Sequence, residues 1–331
     1  MALHNTMRHH RLTYSLLAAL LAALLPGLAH AAKYSGDPFS LGAGARGLAL
    51  GGAVVAGPFD ATAPYWNPAG MTRLDGRYLT AMHAETFGSL LNHDYLGFTS
   101  ANPADTSGGV TAYGFYVYYL GGGGIKITQL NEFDRPYVVR EESHADVLVA
   151  ASIAGRLTSR LDFGLTAKII YRDIGTESGQ GLTLDAGLLY DLNRYATLGL
   201  MVTDITTGFI RYSGDTFDSG SNTESIYPTV KPGLMLSHRH RDFTGRFLMS
   251  GDIKFESLEE AAQYWSGPLS LDSHFGWELG YRDLVFGRAG FDIGRFTAGG
   301  GVNIRALTVD FAYLHQSELD ATFRVSAAYR F

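Results

Sequence analysis

Few residues of this chain combine the types and the spacing that catalysis or metal binding requires. His238 and His240 lie two positions apart, but no further ligand is nearby, so the pair is typical of a solvated turn. Four further histidines are scattered over the chain without a nucleophile-elbow sequence: His83, His93, His274 and His315. The sequence therefore predicts no enzyme, no metal and no cofactor.

The stretch Gly42–Gly47 formally matches the dinucleotide-binding pattern G-x-G-x-x-G. That pattern is informative when it follows a buried strand and opens a helix, with an acidic residue about 20 positions further on in the same βαβ unit. This context is missing here, and the chain has no GK[ST] sequence that would indicate a P-loop. We therefore expect no nucleotide site.

The composition excludes several further classes of protein. The 331 residues include 41 glycines and no cysteine, which excludes a disulfide framework and thiol chemistry. Aromatic residues make up 12% of the chain and the mean hydropathy is +0.01, which is unlike a helical membrane protein. Past residue 32 we find no apolar run of 18 or more residues, so no transmembrane helix is predicted.

Residues 1–31 have the features of a cleaved secretory signal peptide. Arg8 and Arg11 precede an apolar run over 16–25 that is too short to span a bilayer, and an A-x-A sequence follows. Cleavage removes two of the 26 basic residues and none of the 32 acidic ones, which leaves 24 against 32 and a net charge of −8. This charge argues against a nucleic-acid partner.

From about residue 145 onward, apolar and polar residues alternate over segments of about ten residues. In RLDFGLTAKIIYR, Leu165 and Ile169 fall on one face while Thr166 and Lys168 fall on the other. Such segments have the length that a tilted strand needs to cross the hydrocarbon. Because only helices and closed barrels satisfy every backbone hydrogen bond in lipid, the pattern predicts an all-β, transmembrane antiparallel β-barrel.

The two predicted faces differ in the residues that they carry. Aromatic residues cluster at the ends of the apolar face, as an interfacial girdle requires: Tyr171, Tyr190, Phe255, Tyr281, Tyr313 and Phe331. The polar face carries both signs of charge, and we expect interior ion-pair networks from six residues: Asp185, Lys231, Glu278, Arg288, Asp310 and Arg324.

We predict about 14 strands, an even number as in bacterial single-chain barrels. They lie near 78–87, 93–101, 109–119, 145–156, 160–172, 180–190, 195–204, 227–238, 244–255, 273–281, 284–291, 295–304, 306–314 and 320–331. With both termini in the periplasm, the odd-numbered connections face outward, and these include the three long ones: 120–144, 205–226 and 256–272. The even-numbered connections are mostly short, as periplasmic turns are.

The last strand ends on an aromatic residue. Tyr329 and Phe331 continue its apolar row, so we expect both to face lipid. A C-terminal aromatic on the closing strand is what outer-membrane barrels typically present to the barrel assembly machinery. Tyr329 and Phe331 are therefore the predicted assembly signal.

The segment GARGLALGGAVVAGPFDATAPYWNPAG, residues 44–70, resembles the N-terminal signature of the FadL-like long-chain fatty-acid transporters. It is most similar to the PorV/PorQ-type branch of that superfamily, and the C-terminal stretch from Arg295 to Phe331 resembles the closing strands of the same branch. One departure is Gly57-Pro58-Phe59-Asp60, where the family usually has an acidic pair.

The resemblance implies a 14-stranded barrel over residues 77–331 whose lumen holds a small N-terminal hatch over residues 32–76. The hatch would include the motif Asn67, Pro68, Ala69 and Gly70, and the glycine-rich residues Gly42, Gly44, Arg46, Gly51 and Gly52. It also implies uptake of hydrophobic small molecules such as long-chain fatty acids, by capture among outer loops, hatch movement and lateral release through a kinked wall. The candidate ligand contacts are loop 120–144 and Phe115, Tyr116, Tyr118 and Tyr119.

The resemblance is also compatible with a second function. The PorV-like branch includes barrels that act as partners in protein secretion or surface attachment without solute transport. Both readings place the protein in the bacterial outer membrane, in contact with its lipid, and they differ in the partner, which is a hydrophobic ligand or a secretion-system protein. A purely structural outer-membrane protein is a third, weaker alternative.

Overall fold

The computed structural model describes residues 37–86, 90–103, 109–175, 177–205, 208–214, 222–255, 262–316 and 321–331. The signal peptide predicted over residues 1–31 lies outside these ranges.

The described residues form seventeen strands. In chain order they are β1 (Gly76–Thr86), β2 (Leu91–Ala101), β3 (Gly109–Leu130), β4 (Pro136–Thr158), β5 (Leu161–Asp173), β6 (Glu177–Asn193), β7 (Ala196–Thr203), β8 (Gly208–Gly214), β9 (Asn222–Ile226), β10 (Thr229–His240), β11 (Phe243–Lys254), β12 (Tyr264–Ser266), β13 (Leu269–Tyr281), β14 (Val285–Asp292), β15 (Arg295–Ile304), β16 (Leu307–Leu314) and β17 (Thr322–Arg330).

Of these described strands, fourteen form a closed ring with antiparallel neighbours: β1 to β7, β10, β11 and β13 to β17. The ring closes where 78–85 of β1 pairs with 323–330 of β17. The predicted closed antiparallel barrel of about fourteen strands is therefore confirmed. The three remaining strands add to the edge of this ring. β8 and β9 form a hairpin in the connection between β7 and β10, and β12 pairs with β13.

Most of the short turns lie at one end of the barrel and the longest connections lie at the other, as predicted. Five turns of two or three residues join β4 to β5, β6 to β7, β10 to β11, β13 to β14 and β15 to β16. We call this the turn end, and the connection between β2 and β3 also lies there. The opposite end, which we call the loop end, has the two longest connections of the ring, 204–228 and 255–268.

Three stretches that were predicted to be loops contain strands, and one of them is 256–272, which holds β12 and the first residues of β13. β3 and β4 continue through most of 120–144 as a hairpin with its tip at 131–135, and β8 and β9 lie within 205–226. The prediction of open loops was wrong there because alternation between lipid and lumen ends where a strand leaves the bilayer, whereas backbone pairing continues. We call residues 122–144 the β3–β4 arm.

The two faces of the wall follow the alternation in the sequence. In β5, Leu165 and Ile169 face outward with 48% and 62% of their surface exposed. Thr166 and Lys168 on the same strand are buried inside the barrel. A hydrophobic outer surface and a polar lumen follow from this alternation, as expected for strands that cross a bilayer.

Residues 37–75 lie inside the barrel, and we call them the inner segment. It contains the 3-10 helices Asp37–Ser40 and Pro68–Arg73 and two short α-helices, α1 (Ala45–Ala49) and α2 (Ala63–Trp66). α1 packs against β14 to β17, while the second 3-10 helix packs against β4 to β6. The segment therefore bridges opposite parts of the wall. Its assignment as a hatch over residues 32–76 stays a prediction.

The wall meets the inner segment at lumen-facing glycines. In the described residues eight strands each contribute one, and together we call them the glycine belt: Gly114, Gly164, Gly187, Gly199, Gly233, Gly276, Gly290 and Gly299. A Cβ atom on Gly290 would lie 2.7 Å from the Gly51 nitrogen, and one on Gly276 would lie 2.6 Å from the Leu50 oxygen. Such contacts are too short for any side chain, so at these positions the belt lets main chain approach main chain, whereas at Gly114 and Gly187 it makes room for side chains of the inner segment.

We predict that Gly290→Ala destabilises the barrel, whereas Gly287→Ala on the same strand does not. Gly290 faces the inner segment, but a Cβ on Gly287 would meet nothing within 4 Å. Overpacking at Gly290 should lower the free energy of unfolding by about 1–3 kcal/mol. Urea titration of the folded barrel in lipid vesicles measures both variants, and equal stability of the two would contradict the prediction.

Candidate binding cavity

A cavity of about 240 Å³ lies between the inner segment and the barrel wall. The inner segment contributes Phe39, Leu41 and Tyr65 to its lining. The wall contributes residues at strand ends, such as Thr86 of β1 and Lys254 of β11, and these are the ends at which the long connections begin. The cavity therefore lies on the loop-end side of the inner segment.

One wall of the cavity is apolar and partly aromatic. It includes Tyr65 and Leu41 from the inner segment and five buried strand residues, Tyr116, Leu148, Ile170, Met201 and Ile226. The Tyr65 ring stacks on Tyr118 with centroids 6.0 Å apart and meets Tyr116 edge-on at 6.3 Å. These contacts fix the ring that covers one side of the cavity.

Tyr65 also orders the start of the inner segment. Its hydroxyl donates to the Phe39 carbonyl at 2.7 Å and accepts from the Gly42 amide at 3.0 Å. Burial raises the pKa of Tyr65 above its ordinary value, although nearby Lys231 acts in the opposite direction. The neutral hydroxyl is therefore retained, and both hydrogen bonds persist at ordinary pH.

The polar wall of the cavity, which begins on β5 beside Ile170, carries charges that neutralise one another. Lys168 Nζ lies 2.7 Å from Asp185 Oδ1 and 2.8 Å from Asp204 Oδ1. Lys231 Nζ lies 2.6 Å from Asp252 Oδ2. Because a buried charge without a partner is costly, this pairing is what allows these side chains to face a narrow lumen.

His274 connects this polar wall to the inner segment. Its Nδ1 lies 2.9 Å from the Gly51 carbonyl oxygen and 3.0 Å from Asp292 Oδ1, and its Nε2 lies 3.7 Å from Asp252 Oδ1. A cavity residue on β13 is thus in contact with the backbone of the glycine-rich segment. Movement of that segment would change the surroundings of the polar wall.

Arg324 differs from the other buried charges at the cavity. Its Nη2 donates to the Leu41 carbonyl at 2.9 Å and lies 3.3 Å from His93 Nδ1, and its Nη1 lies 3.5 Å from the Gly44 carbonyl. Its Nε has no hydrogen-bond partner among the described residues. No described carboxylate pairs with Arg324, so the prediction that it joins an ion-pair network was wrong. Carbonyl groups of the inner segment occupy its donors instead.

The barrel wall is interrupted beside the cavity. β6 pairs with β7 only as far as Ala186 and with β8 from Leu182 outward. Between these two ladders, Asp204 has a left-handed φ of 56°, and the Ile205 amide donates to the Leu184 carbonyl at 2.8 Å. Asp204 itself lines the cavity. We call this interruption the wall break, because few backbone bonds between described residues hold the strands together there.

On the turn-end side, Glu278 attaches the inner segment to the wall. Glu278 Oε1 lies 2.9 Å from Arg46 Nη2 and also contacts Arg246, while Oε2 accepts from Arg288 Nε at 2.7 Å. Burial alone would lower the pKa of Arg46, but the charges of Glu278 and Asp60 raise it above its ordinary value. The guanidinium therefore stays charged. We call Glu278 and its three arginines the Glu278 cluster.

The structure separates the four aromatic residues that were predicted as ligand contacts. Tyr116 lines the cavity, and Tyr118 is buried under Phe39, with its hydroxyl donating to the Pro38 carbonyl at 2.9 Å. Phe115 and Tyr119 are exposed on the outer face of β3. The role of all four in ligand binding stays a prediction.

The predicted hatch residues all lie in the inner segment. Asn67 is fully buried, and its Oδ1 accepts from the Ala69 amide at 3.1 Å while its Nδ2 donates to the Val55 carbonyl at 2.8 Å. Pro68 and Ala69 lie against Gly164 of the belt. The remaining predicted residues, which are Gly42, Gly44, Arg46, Gly51, Gly52 and Gly70, also contact neighbours inside the barrel.

Tyr329 and Phe331 lie at the turn end with more than half of each side chain exposed. Their rings stack with centroids 6.2 Å apart. Their outward position agrees with the lipid-facing row that the alternation predicts. Recognition of this pair by the assembly machinery stays a prediction.

Most of the interior charges could be predicted from the sequence, but their partners could not. The ion pairs of Asp185, Lys231, Glu278, Arg288 and Asp310 are confirmed. Asp204 and Tyr65 were not predicted to be cavity residues. Tyr65 lies within the sequence APYWNPAG, so its position in the predicted hatch could have indicated that it faces the lumen. No sequence pattern indicated a role for Asp204, because it follows the last residue of β7.

Neither a protein-family model nor a curated protein matches this chain. The fold is similar to solved structures of the monoaromatic hydrocarbon channel CymD (13% identity, 88% of this chain and 98% of that chain, TM-score 0.54) and of a TodX deltaS2S3 mutant monoaromatic hydrocarbon channel (12%, 87% and 98%, 0.53). A Pseudomonas putida toluene transporter, TodX, is also similar (13%, 87% and 97%, 0.52).

These similarities concern the fold, since the identities are low. They agree with the barrel that the FadL-like resemblance implies, and membership of the PorV/PorQ branch stays a prediction. Within the described ranges, no helix has both the length and the apolar character to cross a membrane. The same ranges contain no group of three or more side chains arranged to hold a metal ion.

We predict that Glu278→Gln strongly destabilises the attachment of the inner segment. It leaves the partly buried Arg46 and Arg246 without an ion-pair partner among the described residues, which should cost about 3–5 kcal/mol. Asp283→Asn is the control, because it removes an exposed partner of Arg239 and should cost at most about 1 kcal/mol. Urea unfolding measures the loss of stability in each variant, and the rate of protease cleavage within 37–75 measures how firmly the inner segment is attached. Similar results for the two variants would refute the prediction.

Proposed function

We propose that this protein is an outer-membrane barrel that takes up hydrophobic small molecules, and that the cavity above the inner segment binds them. The observation that carries the proposal is an apolar, aromatic wall inside the lumen of a closed barrel, where lipid does not reach it. The solved structures with a similar fold are named as monoaromatic hydrocarbon channels and a toluene transporter, which supports cargo of the same general class.

Long-chain fatty acids are the cargo that we propose within this class. A fatty acid needs an apolar surface for its chain and a cation for its carboxylate. Leu148 and Ile170 provide apolar surface, and Arg324 lines the same cavity as a buried guanidinium with an unpartnered Nε. A carboxylate beside Arg324 would supply the counter-charge that the described residues do not provide.

The proposed route begins at the loop end and leaves through the wall. A molecule bound in the cavity lies next to Asp204 and therefore next to the wall break. Lateral release there would require the loss of the bonds from Asp204 to Lys168 and Thr183, both 2.8 Å long. No covalent chemistry is involved, since passage depends on differences in affinity between cavity, wall and membrane.

The alternative is docking of another protein without solute transport. The β3–β4 arm is the observation that favours it, because the arm extends past the wall and exposes 65% of Leu130, at the end of β3, and 80% of Phe133, in its tip. Exposed apolar residues of this kind suit contact with a partner, such as a component of a secretion system. The two functions differ in what remains bound to the purified barrel.

The first test compares Ile170→Trp with Ile169→Trp. Ile170 lines the cavity, whereas Ile169, its neighbour on β5, faces outward with 62% of its surface exposed. Mass spectrometry of lipids extracted from each purified barrel should find a stoichiometric, class-selective apolar ligand in the wild type and in Ile169→Trp. Ile170→Trp should lose it, because the indole fills the cavity. Bulk phospholipid alone in all three, with a copurifying protein, would favour docking.

The second test addresses the fatty-acid carboxylate. Arg324→Gln should weaken oleate binding about 10- to 100-fold, because a charge-assisted hydrogen bond is worth about 1.5–3 kcal/mol. Binding of oleyl alcohol should change little, since it carries no charge. Arg239→Gln, an exposed substitution far from the cavity, is the control for both ligands. Equal losses for oleate and oleyl alcohol would refute the role of Arg324 while leaving apolar uptake in place.

A further inference from the structure

Each of the five short turns at the turn end contains one arginine. These arginines are Arg160, Arg194, Arg241, Arg282 and Arg305. The same turns hold two aspartates, Asp242 and Asp283, and no lysine or glutamate. The chain as a whole has 32 acidic and 26 basic residues, so the positive excess is a local property of this rim.

Four of these five guanidinium groups are free to bind an anion. Arg282 Nη2 lies 3.1 Å from Asp242 Oδ2 and is therefore paired. The other four are exposed and form no ion pair with a described residue, and we call them the turn arginines: Arg160, Arg194, Arg241 and Arg305. They belong to four different turns, so they are spaced around the rim and do not form a single pocket.

Aromatic residues place this rim at the level of lipid head groups. The Arg194 guanidinium lies 4.5 Å from the centroid of the exposed Tyr195 ring, and Arg282 lies 5.2 Å from that of Tyr281. Tyr281 in turn meets Phe243 with centroids 5.1 Å apart. Exposed tyrosines mark the boundary between hydrocarbon and water in barrels of this type. A guanidinium one residue beyond that boundary is within reach of phosphate groups.

We propose that the turn arginines bind the phosphate groups of anionic phospholipids in the leaflet that faces the turn end. The planar guanidinium presents paired donors that match phosphate oxygens, and all the basic residues of these turns are arginines. Negative lipid surfaces attract basic residues at this depth. The site is separate from the cavity, so it requires only that the barrel spans a bilayer and does not depend on what the barrel transports.

The test uses the folded full-length barrel in detergent mixed with equal amounts of phosphatidylglycerol and phosphatidylcholine. Native mass spectrometry counts the lipids of each class that stay bound. The wild type should retain phosphatidylglycerol at least fivefold over phosphatidylcholine, and the preference should weaken as salt is added. In the variant R160Q/R194Q/R241Q/R305Q the ratio should fall to near one, while gel mobility before and after heating confirms that the barrel is folded.

A matched pair of double variants separates phosphate binding from net charge. R160Q/R305Q and R239Q/R282Q each remove two exposed positive charges from the turn end, but Arg239 and Arg282 already pair with aspartates. The first should lower the lipid preference and the second should largely keep it. Equal losses, or no preference in the wild type, would overturn the proposal. Displacement of the lipid by soluble glycerol phosphate would also overturn it, since the site would then bind soluble anions.

Discussion

The close approach of the inner segment to the barrel wall is the constraint on which the rest of the structure depends. A fourteen-stranded ring encloses more space than its own side chains fill, so the lumen must hold something else. The inner segment reaches the wall because the strands of the glycine belt carry no side chain where they meet its main chain or its side chains. Glycine weakens a strand in isolation, and that local cost is offset here by packing across the lumen.

Electrostatics divides the interior into two parts with different properties. On the turn-end side, the Glu278 cluster pairs Arg46 of the inner segment with the wall and leaves little freedom of movement. On the loop-end side, Lys168 and Lys231 pair within the wall itself, so these ion pairs shape the cavity without attaching the inner segment. Arg324 stands apart from both parts because carbonyl groups, and not a described carboxylate, face its guanidinium.

The barrel could be predicted from the sequence because its signal is local. Whether Lys168 faces lipid or lumen is decided by the residues beside it in β5, and the parity of the connections then orders the strands. The partners inside the lumen could not be predicted, because Arg46 and Glu278 are 232 positions apart and their contact depends on the register of the whole ring. The strands of the β3–β4 arm were not predicted because the local signal is absent there: beyond the bilayer nothing imposes alternation of apolar and polar residues.

The arrangement also bears on which exit the proposed cargo would use. Displacing the inner segment would separate buried charges in the Glu278 cluster and expose the whole glycine belt to water. Among the described residues, opening the wall break would disturb the side-chain bonds of Asp204 to Lys168 and Thr183, the bond from its amide to Asp185, and the backbone bond from Ile205 to Leu184. A ligand shifts such an equilibrium only by its difference in affinity for the two states, and for a small apolar molecule this difference is small. The less costly change is the lateral one, so release into the membrane through the wall break fits an inner segment that stays in place.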